Sequence, residues 1–546
     1  MNRDIIQHQQ KNKAARYEYW YLFSLLVIIL FTTAVRFRLL DVPLERDEGE
    51  HAYSGQLILQ GFLPYTKVYN AVMPGIDVVY ALIMAVFGQT CGGIRLGLLI
   101  VNVAAVLLMF LLGEKLFGRF AGVAVAAAFA LLSLGQWVFG VFAHTEHFVV
   151  FFALGGILLL LHFIDRRKWL YLFGGALLLG TAFLMKQHAA VLILFAGLFL
   201  LYVELFRRPF IWKVFAAASA LFLAGVLLPF AVTCLVLWRL GVFEKFWLFT
   251  FHTSVGYLSI VTFSMGLDNL KNMMLPIFNS APLIWILAAV GLSALWWNGR
   301  VRQHRLFVIC FLIFSFLAMC PGLYFREHYS LFLLPAVALL TGEGFVSLAA
   351  LFNRSRFVFV SRVVPILLAL VVLFHTIYRQ RDFFFVMDPV TVLRSTYGSN
   401  PFPESVEIAR FIKERSTKDD LIAVIGSEPQ IYFYSDRHSA TGYIYTYSMM
   451  ENSPYSVRMQ EEMIREIETA RPKFLVFVNA YTSWLVQPDS EKAIFKWFRE
   501  CRRKHYDVVG MIDIFDSGQT DYRWGSNAAA YIARSRNWIS ISQRRD

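Results

Sequence analysis

Between Tyr19 and Tyr378 the chain is a succession of apolar runs, many close to the ~20 residues a helix needs to cross a bilayer. Nothing else in the sequence restricts the fold as strongly. A soluble domain could not bury so many such runs, and the composition agrees. The 546 residues are 58% hydrophobic and only 16% charged, whereas a soluble domain carries about a quarter charged residues. The expected class is a polytopic α-helical membrane protein. Spans are expected at 19–39, 92–113, 120–138, 147–163, 169–184, 187–203, 214–238, 272–297, 306–322, 330–350 and 358–378, about 11 in all.

Charge sets the expected topology. Residues 1–18 are polar and basic, with Lys11, Lys13 and Arg16, and carry no cleavage signature before the first run, so they read as the cytoplasmic side of a signal anchor. Alternate loops then hold the cations: Lys115 and Arg119; Arg166, Arg167 and Lys168; Arg207, Arg208 and Lys213; Arg300, Arg302 and Arg305; Arg354, Arg356 and Arg362. That is the positive-inside pattern, and it fits a cell inner (plasma) membrane protein. The transmembrane domain is 19–378, with a first outer loop at 40–91. The apolar stretch 75–88 is too short to span and reads as an interfacial helix of that loop.

An odd number of spans leaves 379–546 outside. There the runs 421–426, 473–478 and 506–515 look like strands, alternating with amphipathic stretches near 403–415, 456–470 and 490–503. This predicts a C-terminal extracytoplasmic α/β domain without a GxGxxG dinucleotide motif. Five cysteines without a CxxC pair imply neither a disulfide framework nor a cysteine zinc site. The net charge of +13 follows the membrane loops, with no basic block interleaved with aromatics, so no nucleic-acid partner is expected.

Four polar clusters interrupt this apolar background: "RDEGEH" (46–51), "HTEH" (144–147), "MKQH" (185–188) and "FREHYS" (325–330). On the charge-derived topology all four lie at the outer ends of spans. Ionisable groups so near the bilayer are costly and usually mark function, so their convergence on one face predicts one outward-facing site. The first cluster opens a helix, where the dipole favours ionised carboxylates. An ionised Asp there is able to take a proton from a hydroxyl, although an acidic, well-capped interfacial helix explains the same residues equally well. Lys186, Gln187 and His188 are either donors to a phosphate headgroup or the polar turn of a tight hairpin. Arg326, His328 and Tyr329 offer similar donors. His144, Glu146 and His147 have the composition of a weak divalent-metal site, but a hydrogen-bonded loop accounts for them better, and no metal ligand is assigned.

In outline, "RDEGEHAYSGQLILQG" (46–61) with Pro64 and Tyr65, "MPG" (73–75), "FGQTCGGIRLG" (87–97), "MKQ" (185–187), "FREHYSLFLLPAVALLTG" (325–342) and "GSEPQIYFYSDRHSATGYIY" (426–445) resemble the GT-C membrane glycosyltransferases. The resemblance is to the branch related to protein O-mannosyltransferases and lipid A aminoarabinose transferase. It implies a sugar donor carried on a polyprenyl phosphate and an acceptor hydroxyl on a lipid, protein or glycan. It implies a GT-C fold, an Asp acting as general base, and inversion at the sugar. By position, Asp47 matches the base, Glu48 its acidic neighbour and Lys186 a residue holding the donor phosphate. Arg326, His328 and Tyr329 are further phosphate candidates, and His144, Glu146, Gln187 and His188 line the site. Residues 238–257 are a guess for the acceptor pocket. No cofactor is required on this reading, although a divalent cation is compatible with it. The competing readings are a multi-span transporter, which would place polar groups near mid-bilayer, and a lipid-binding cell-envelope assembly protein.

Overall fold

The computed structural model describes residues 2–69, 71–252, 261–299, 301–352, 357 and 363–545. Helices follow the order α1 (Asn2–Arg38), α2 (Arg46–Leu59), α3 (Pro74–Phe87), α4 (Cys91–Phe117), α5 (Arg119–Leu134), α6 (Thr145–Arg166), α7 (Trp169–Met185), α8 (Ala189–Leu205) and α9 (Trp212–Arg239). After a short α10 (Phe243–Trp247) come α11 (Phe263–Ser280), α12 (Pro282–Trp297), α13 (Arg305–Leu317), α14 (Leu334–Phe352) and α15 (Val364–Arg379). Arg300, Arg354, Arg356, Arg362 and the start of the expected span 358–378 lie outside the described residues.

The expected spans mostly recur as helices, but not all at spanning length. Among the described residues, the Tyr19–Arg38 part of α1, α4, α6, α9 and α14 are long and apolar enough to cross a membrane. The segments α3, α5, α7, α8 and α15 are shorter apolar helices of 10–17 residues. The single span expected at 272–297 is instead two helices, α11 and α12, bent by 101°. Pro282 explains the break. It is the first residue of α12, where its missing N–H costs nothing, but inside a continuous helix it would remove a hydrogen bond and clash with the preceding turn.

Burial separates the lipid-facing helices from the central ones. Only 17% of the most apolar stretch of α9 is buried, against 78% of that in α14. The α9 surface shows Leu223, Leu227, Val232 and Leu235, as a helix facing hydrocarbon would. The central α14 packs on α12 through glycines. A methyl on Gly291 would sit 1.9 Å from the Leu340 carbonyl oxygen, and one on Gly344 would sit 2.1 Å from that of Leu287. The two backbones therefore touch, the packing that small residues allow in membrane helices.

Tight connections fix which residues share an end of the bundle. Gly118, with φ 92°, is at once the C-cap of α4 and the N-cap of α5, a one-residue turn in the conformation glycine permits. Near that end lie the ion pairs Lys115–Asp165, Arg119–Glu114 and Arg167–Glu204. The four polar clusters singled out above gather at the opposite end.

The C-terminal portion adds α16 (Pro389–Tyr397), α17 (Phe402–Glu414), β1 (Ile422–Ile425), α18 (Gln430–Ser435), α19 (Pro454–Ala470), β2 (Phe474–Asn479), α20 (Ala493–His505), β3 (Tyr506–Ile514), β4 (Thr520–Trp524), α21 (Ser526–Ala529) and β5 (Asn537–Arg544). These form a small domain around a sheet of order β1-β2-β5-β3-β4. Only β1 and β2 run parallel. The strands β4 and β5 were not expected, and β5 is central. The domain sits directly on α2. A methyl on Gly49 would meet the backbone nitrogen of Gln430 at 2.7 Å, and Tyr53 stacks on Tyr432 with ring centroids 5.1 Å apart. The Ser439 N–H donates to the Tyr53 hydroxyl and the Leu44 N–H to that of Tyr434, at 2.8 and 2.7 Å.

The glycine contact between α12 and α14 yields a direct test. Gly291→Ala is expected to cost ~1–3 kcal/mol through overpacking, lowering the thermal unfolding midpoint of the purified chain. Gly174→Ala, whose added methyl would make only an ordinary 3.5 Å contact with Leu159, is expected to leave that midpoint nearly unchanged.

Candidate active site

The acidic stretch opens α2, and its residues have different surroundings. Glu45 is the N-cap, and it forms a reciprocal capping box with Glu48. The Glu48 N–H donates to the Glu45 carboxylate at 2.7 Å, and the Glu45 N–H donates back to Glu48 at 3.3 Å. Glu48 is fully buried, accepting from Arg95 of α4 at 2.8 Å and from the Ala143 N–H at 2.5 Å. Glu45 and Glu50 are also buried. Asp47 differs, because its side chain keeps 38% of its exposure. Of the four acids, Asp47 is the one an incoming molecule can reach.

The loop before α6 delivers His144 to Asp47, and the segment before α14 delivers His328. Both approaches pass through strained backbone: Phe139 and Phe325 hold φ of 55° and 45°, left-handed values that a phenylalanine rarely adopts. The His144 Nδ1 lies 3.9 Å from Asp47 Oδ2, and the His144 Nε2 lies 3.3 Å from the Tyr397 hydroxyl. The His144 and His328 rings stack 4.1 Å apart and 11° from parallel. Behind them Glu146, fully buried, pairs with Lys186, whose ammonium lies 4.4 Å from the centre of the Tyr329 ring. The His328 Nε2 is 3.9 Å from Glu146.

Protonation follows from these surroundings. Burial raises Glu45, with the charges of Asp47 and Glu48 adding to it. Burial raises Glu48 as well, against the opposing pull of Arg95. Asp47 goes the other way. Burial works against its ionised form, but His144, His328, the Tyr445 hydroxyl and Lys186 outweigh it and hold the carboxyl below the ordinary Asp value. Burial also drives His144 down to about 4 and His328 well below the usual imidazole range. Both rings are therefore neutral near pH 7, where the Tyr445 hydrogen bond and the Lys186 charge remain to favour the Asp47 carboxylate.

The other expected residues fall around this core. His188 stacks on Phe332, with Tyr329 5.0 Å away, and Gln187 donates to the Ala71 carbonyl at 3.4 Å. The Arg326 guanidinium lies over the Tyr324 ring at 5.5 Å. His147 is buried and its Nε2 has no hydrogen-bond partner among the described residues. Residues 253–257 of the stretch guessed for the acceptor lie outside the described residues. Four neighbours were given no individual role from sequence, Arg46, Arg95, Tyr397 and Tyr445, although Arg46 opens the first polar cluster and Arg95 lies within the segment 87–97 of the resemblance. Tyr445 donates to Asp47 Oδ1 at 2.8 Å across 398 positions of sequence. Arg46 reaches Glu428 at 2.6 Å and the Ser427 carbonyl at 2.5 Å. Local periodicity carries no sign of contacts this distant, although Tyr445 ends one of the quoted segments of the resemblance.

Asp47, His144 and His328 each offer one ligand atom, all within 4.8 Å of one another. A carboxylate and two neutral imidazoles suit a divalent cation such as Zn²⁺, and the buried His328 Nδ1 has no hydrogen-bond partner among the described residues. The pairing considered from sequence, His144 with His147, is not in this group.

Residues 72–232 match the family model described as dolichyl-phosphate-mannose-protein mannosyltransferase. No curated protein sequence matches the chain significantly. Among solved structures, the chain is similar to ArnT from Cupriavidus metallidurans bound to undecaprenyl phosphate. That likeness has a TM-score of 0.59 and 16% identity, and it covers 97% of this chain and 98% of the other. It is also similar to the archaeal oligosaccharyltransferase AglB from Archaeoglobus fulgidus in complex with an inhibitory peptide and a dolichol-phosphate. There the TM-score is 0.55 at 12% identity, covering 93% of this chain and 75% of the other. A third likeness is to the Archaeoglobus fulgidus oligosaccharyltransferase in complex with Zn and sulfate, with a TM-score of 0.52 at 12% identity, covering 92% of this chain and 73% of that one. At these identities the likeness is one of fold.

The Glu48–Arg95 pair underlies the geometry. Arg95→Met, which strands the buried Glu48 carboxylate, is expected to destabilise the chain by ~3–5 kcal/mol. The thermal unfolding midpoint should fall accordingly, and adding Glu48→Gln should recover part of the loss, as a double-mutant cycle would record.

Proposed function

We propose that this chain, a multi-pass membrane glycosyltransferase of the GT-C fold, transfers a sugar from a polyprenyl-phosphate donor to an acceptor hydroxyl, with Asp47 as general base. The observation that carries the reading is Asp47, the one reachable carboxylate of the acidic stretch, held ionised and clustered with Lys186, His328 and Tyr329 at one end of the bundle. The positive-inside pattern supports placing that end, and the C-terminal domain, on the outer side of the plasma membrane. The lipid phosphates bound to the similar ArnT and AglB structures support a polyprenyl-phosphate donor.

In this reading the acceptor oxygen attacks the anomeric carbon as its proton passes to Asp47. The bond from that carbon to the phosphate oxygen breaks, its electron pair leaves with the lipid phosphate, and the anomeric configuration inverts. An alcohol is a weak nucleophile, and proton transfer to a positioned side chain contributes typically ~10²–10⁴-fold; Asp47, held below the ordinary Asp value, is available in its ionised form. The departing phosphate gains charge, which Lys186, Arg326, His328 and the Tyr329 hydroxyl are placed to meet. Glu146 orients Lys186, while His144, Gln187 and His188 line the approach. Glu48 sits beside the base but is committed to Arg95 and the Ala143 N–H, so it positions Asp47 and takes no proton itself. A divalent cation held by Asp47, His144 and His328 would supply further positive charge next to the phosphate. It is an adjunct in this scheme, not a requirement.

The test uses the purified full chain with a panel of undecaprenyl-phosphate sugars and native membrane extract as the acceptor source, reading new glycosylated species by mass spectrometry. Wild-type protein is expected to turn over at least one donor. Asp47→Asn, folded and membrane-inserted, is expected to lose ~10²-fold or more in kcat while still binding undecaprenyl phosphate. Full activity in Asp47→Asn removes the base assignment, and failure of wild-type protein with every donor removes the donor class.

A further inference from the structure

The C-terminal domain contributes a side chain to the proposed active site. The Tyr445 hydroxyl donates to Asp47 Oδ1 at 2.8 Å. Among the described residues no hydrogen bond reaches Asp47 Oδ2, and the His144 Nδ1 stands 3.9 Å away, beyond hydrogen-bonding distance. The two oxygens of the base are thereby made inequivalent.

What holds Tyr445 in place is also what holds Asp47. The residue before Asp47, Arg46, is buried and donates to the Ser427 carbonyl, to Glu428, to Asn400 and to the Tyr447 hydroxyl. The hydroxyl of the same Ser427 accepts from the Thr446 N–H at 2.9 Å, and Thr446 follows Tyr445 directly. Thr446 is anchored a second time, its hydroxyl donating to the Ser483 carbonyl at 3.1 Å. The Tyr447 hydroxyl lies between Arg46 and the Thr482 carbonyl, and the Tyr447 ring packs edge-on against Tyr445 with centroids 4.7 Å apart. These links close a ring: Asp47 to Arg46 through the chain, Arg46 to Ser427, Ser427 to Thr446, Thr446 to Tyr445 through the chain, and Tyr445 back to Asp47. The chain segments that carry the phenol and the carboxylate are thus each tied by buried contacts to Ser427.

Resting on the reading of Asp47 as base, we propose that Tyr445 is a positioning residue for the transfer, its hydroxyl engaging Oδ1 so that Oδ2 is the oxygen presented to the acceptor proton. The C-terminal sheet domain is then part of the reaction centre, latched to the first loop by Arg46 and Glu428. A carboxylate held by one oxygen has lost its rotational freedom before substrate arrives, the preorganisation that favours a proton transfer at fixed geometry.

The experiment is a kinetic double-mutant cycle on the full-length chain, using the undecaprenyl-phosphate sugar that wild-type protein turns over best. Tyr445→Phe keeps the ring and its packing while removing the hydroxyl. It is expected to lower kcat about tenfold or more with the donor KM within about threefold and the thermal midpoint unchanged. In an Asp47→Asn background, Tyr445→Phe is expected to have no further effect on residual turnover, because its action passes through the carboxylate. A purely structural role for Tyr445 would instead lower the thermal midpoint and reduce turnover in both backgrounds. That result overturns the proposal, as does full kcat in Tyr445→Phe when Asp47→Asn is inactive. Full activity in Asp47→Asn is the separate failure of the base assignment itself.

Discussion

The buried contact of Glu48 with Arg95 and the Ala143 N–H fixes the working end of this molecule. Through it α2 is fastened to α4, and α2 is fastened to the loop that leads into α6. Asp47 is the residue before Glu48, and His144 is the residue after Ala143. One fully buried carboxylate therefore sets the distance between the reachable acid and the imidazole facing it. A buried ion pair adds little net stability over an apolar pair of the same shape, yet breaking it is costly, because a lone charge is left in a dry place. Such a contact suits registering two loops against each other more than raising overall stability.

The proposed chemistry asks two opposed things of this region. The base must be reachable and ionised, while the surrounding protein must be dry enough for charge to act strongly on the phosphate. The four acids divide these roles by burial. Glu45 and Glu48 are withdrawn into the capping box and the Arg95 pair, and Asp47 is left partly open beneath the Tyr445 hydroxyl. The Lys186–Glu146 pair would serve the phosphate side of the proposed reaction in the same manner, since the buried carboxylate holds the ammonium in place. A transporter would call for a polar path through the bundle, whereas these groups collect at one end of it.

How much of this was legible in the sequence depended on the range of the interaction concerned. The apolar runs gave most of the helices, and β1, β2 and β3 were visible as short, predominantly apolar runs. The central strand β5 was missed although "NWISISQR" alternates apolar and polar, the pattern of a strand with a wet face, because the expected strands were drawn from mainly apolar runs. In the fold, Ser540 and Ser542 are nonetheless fully buried, with β2 on one side of β5 and β3 on the other. The bend between α11 and α12 was written in Pro282 but lay inside an apolar stretch long enough to read as one span. The clustering of Asp47 with His144, Lys186 and His328 was accessible, because topology alone puts span ends on a common face. The C-terminal contribution was not, since Tyr445 meets Asp47 only after the whole bundle has assembled.

The central claim is a direct displacement in which Asp47 accepts the acceptor proton and no sugar becomes attached to the protein. The stereochemistry of the product addresses it in one measurement. Two-dimensional NMR of the glycosylated product, compared with the donor, should show the opposite anomeric configuration, as a single in-line attack requires. The same configuration in both would demand two successive displacements through a glycosyl-enzyme, and would contradict the account.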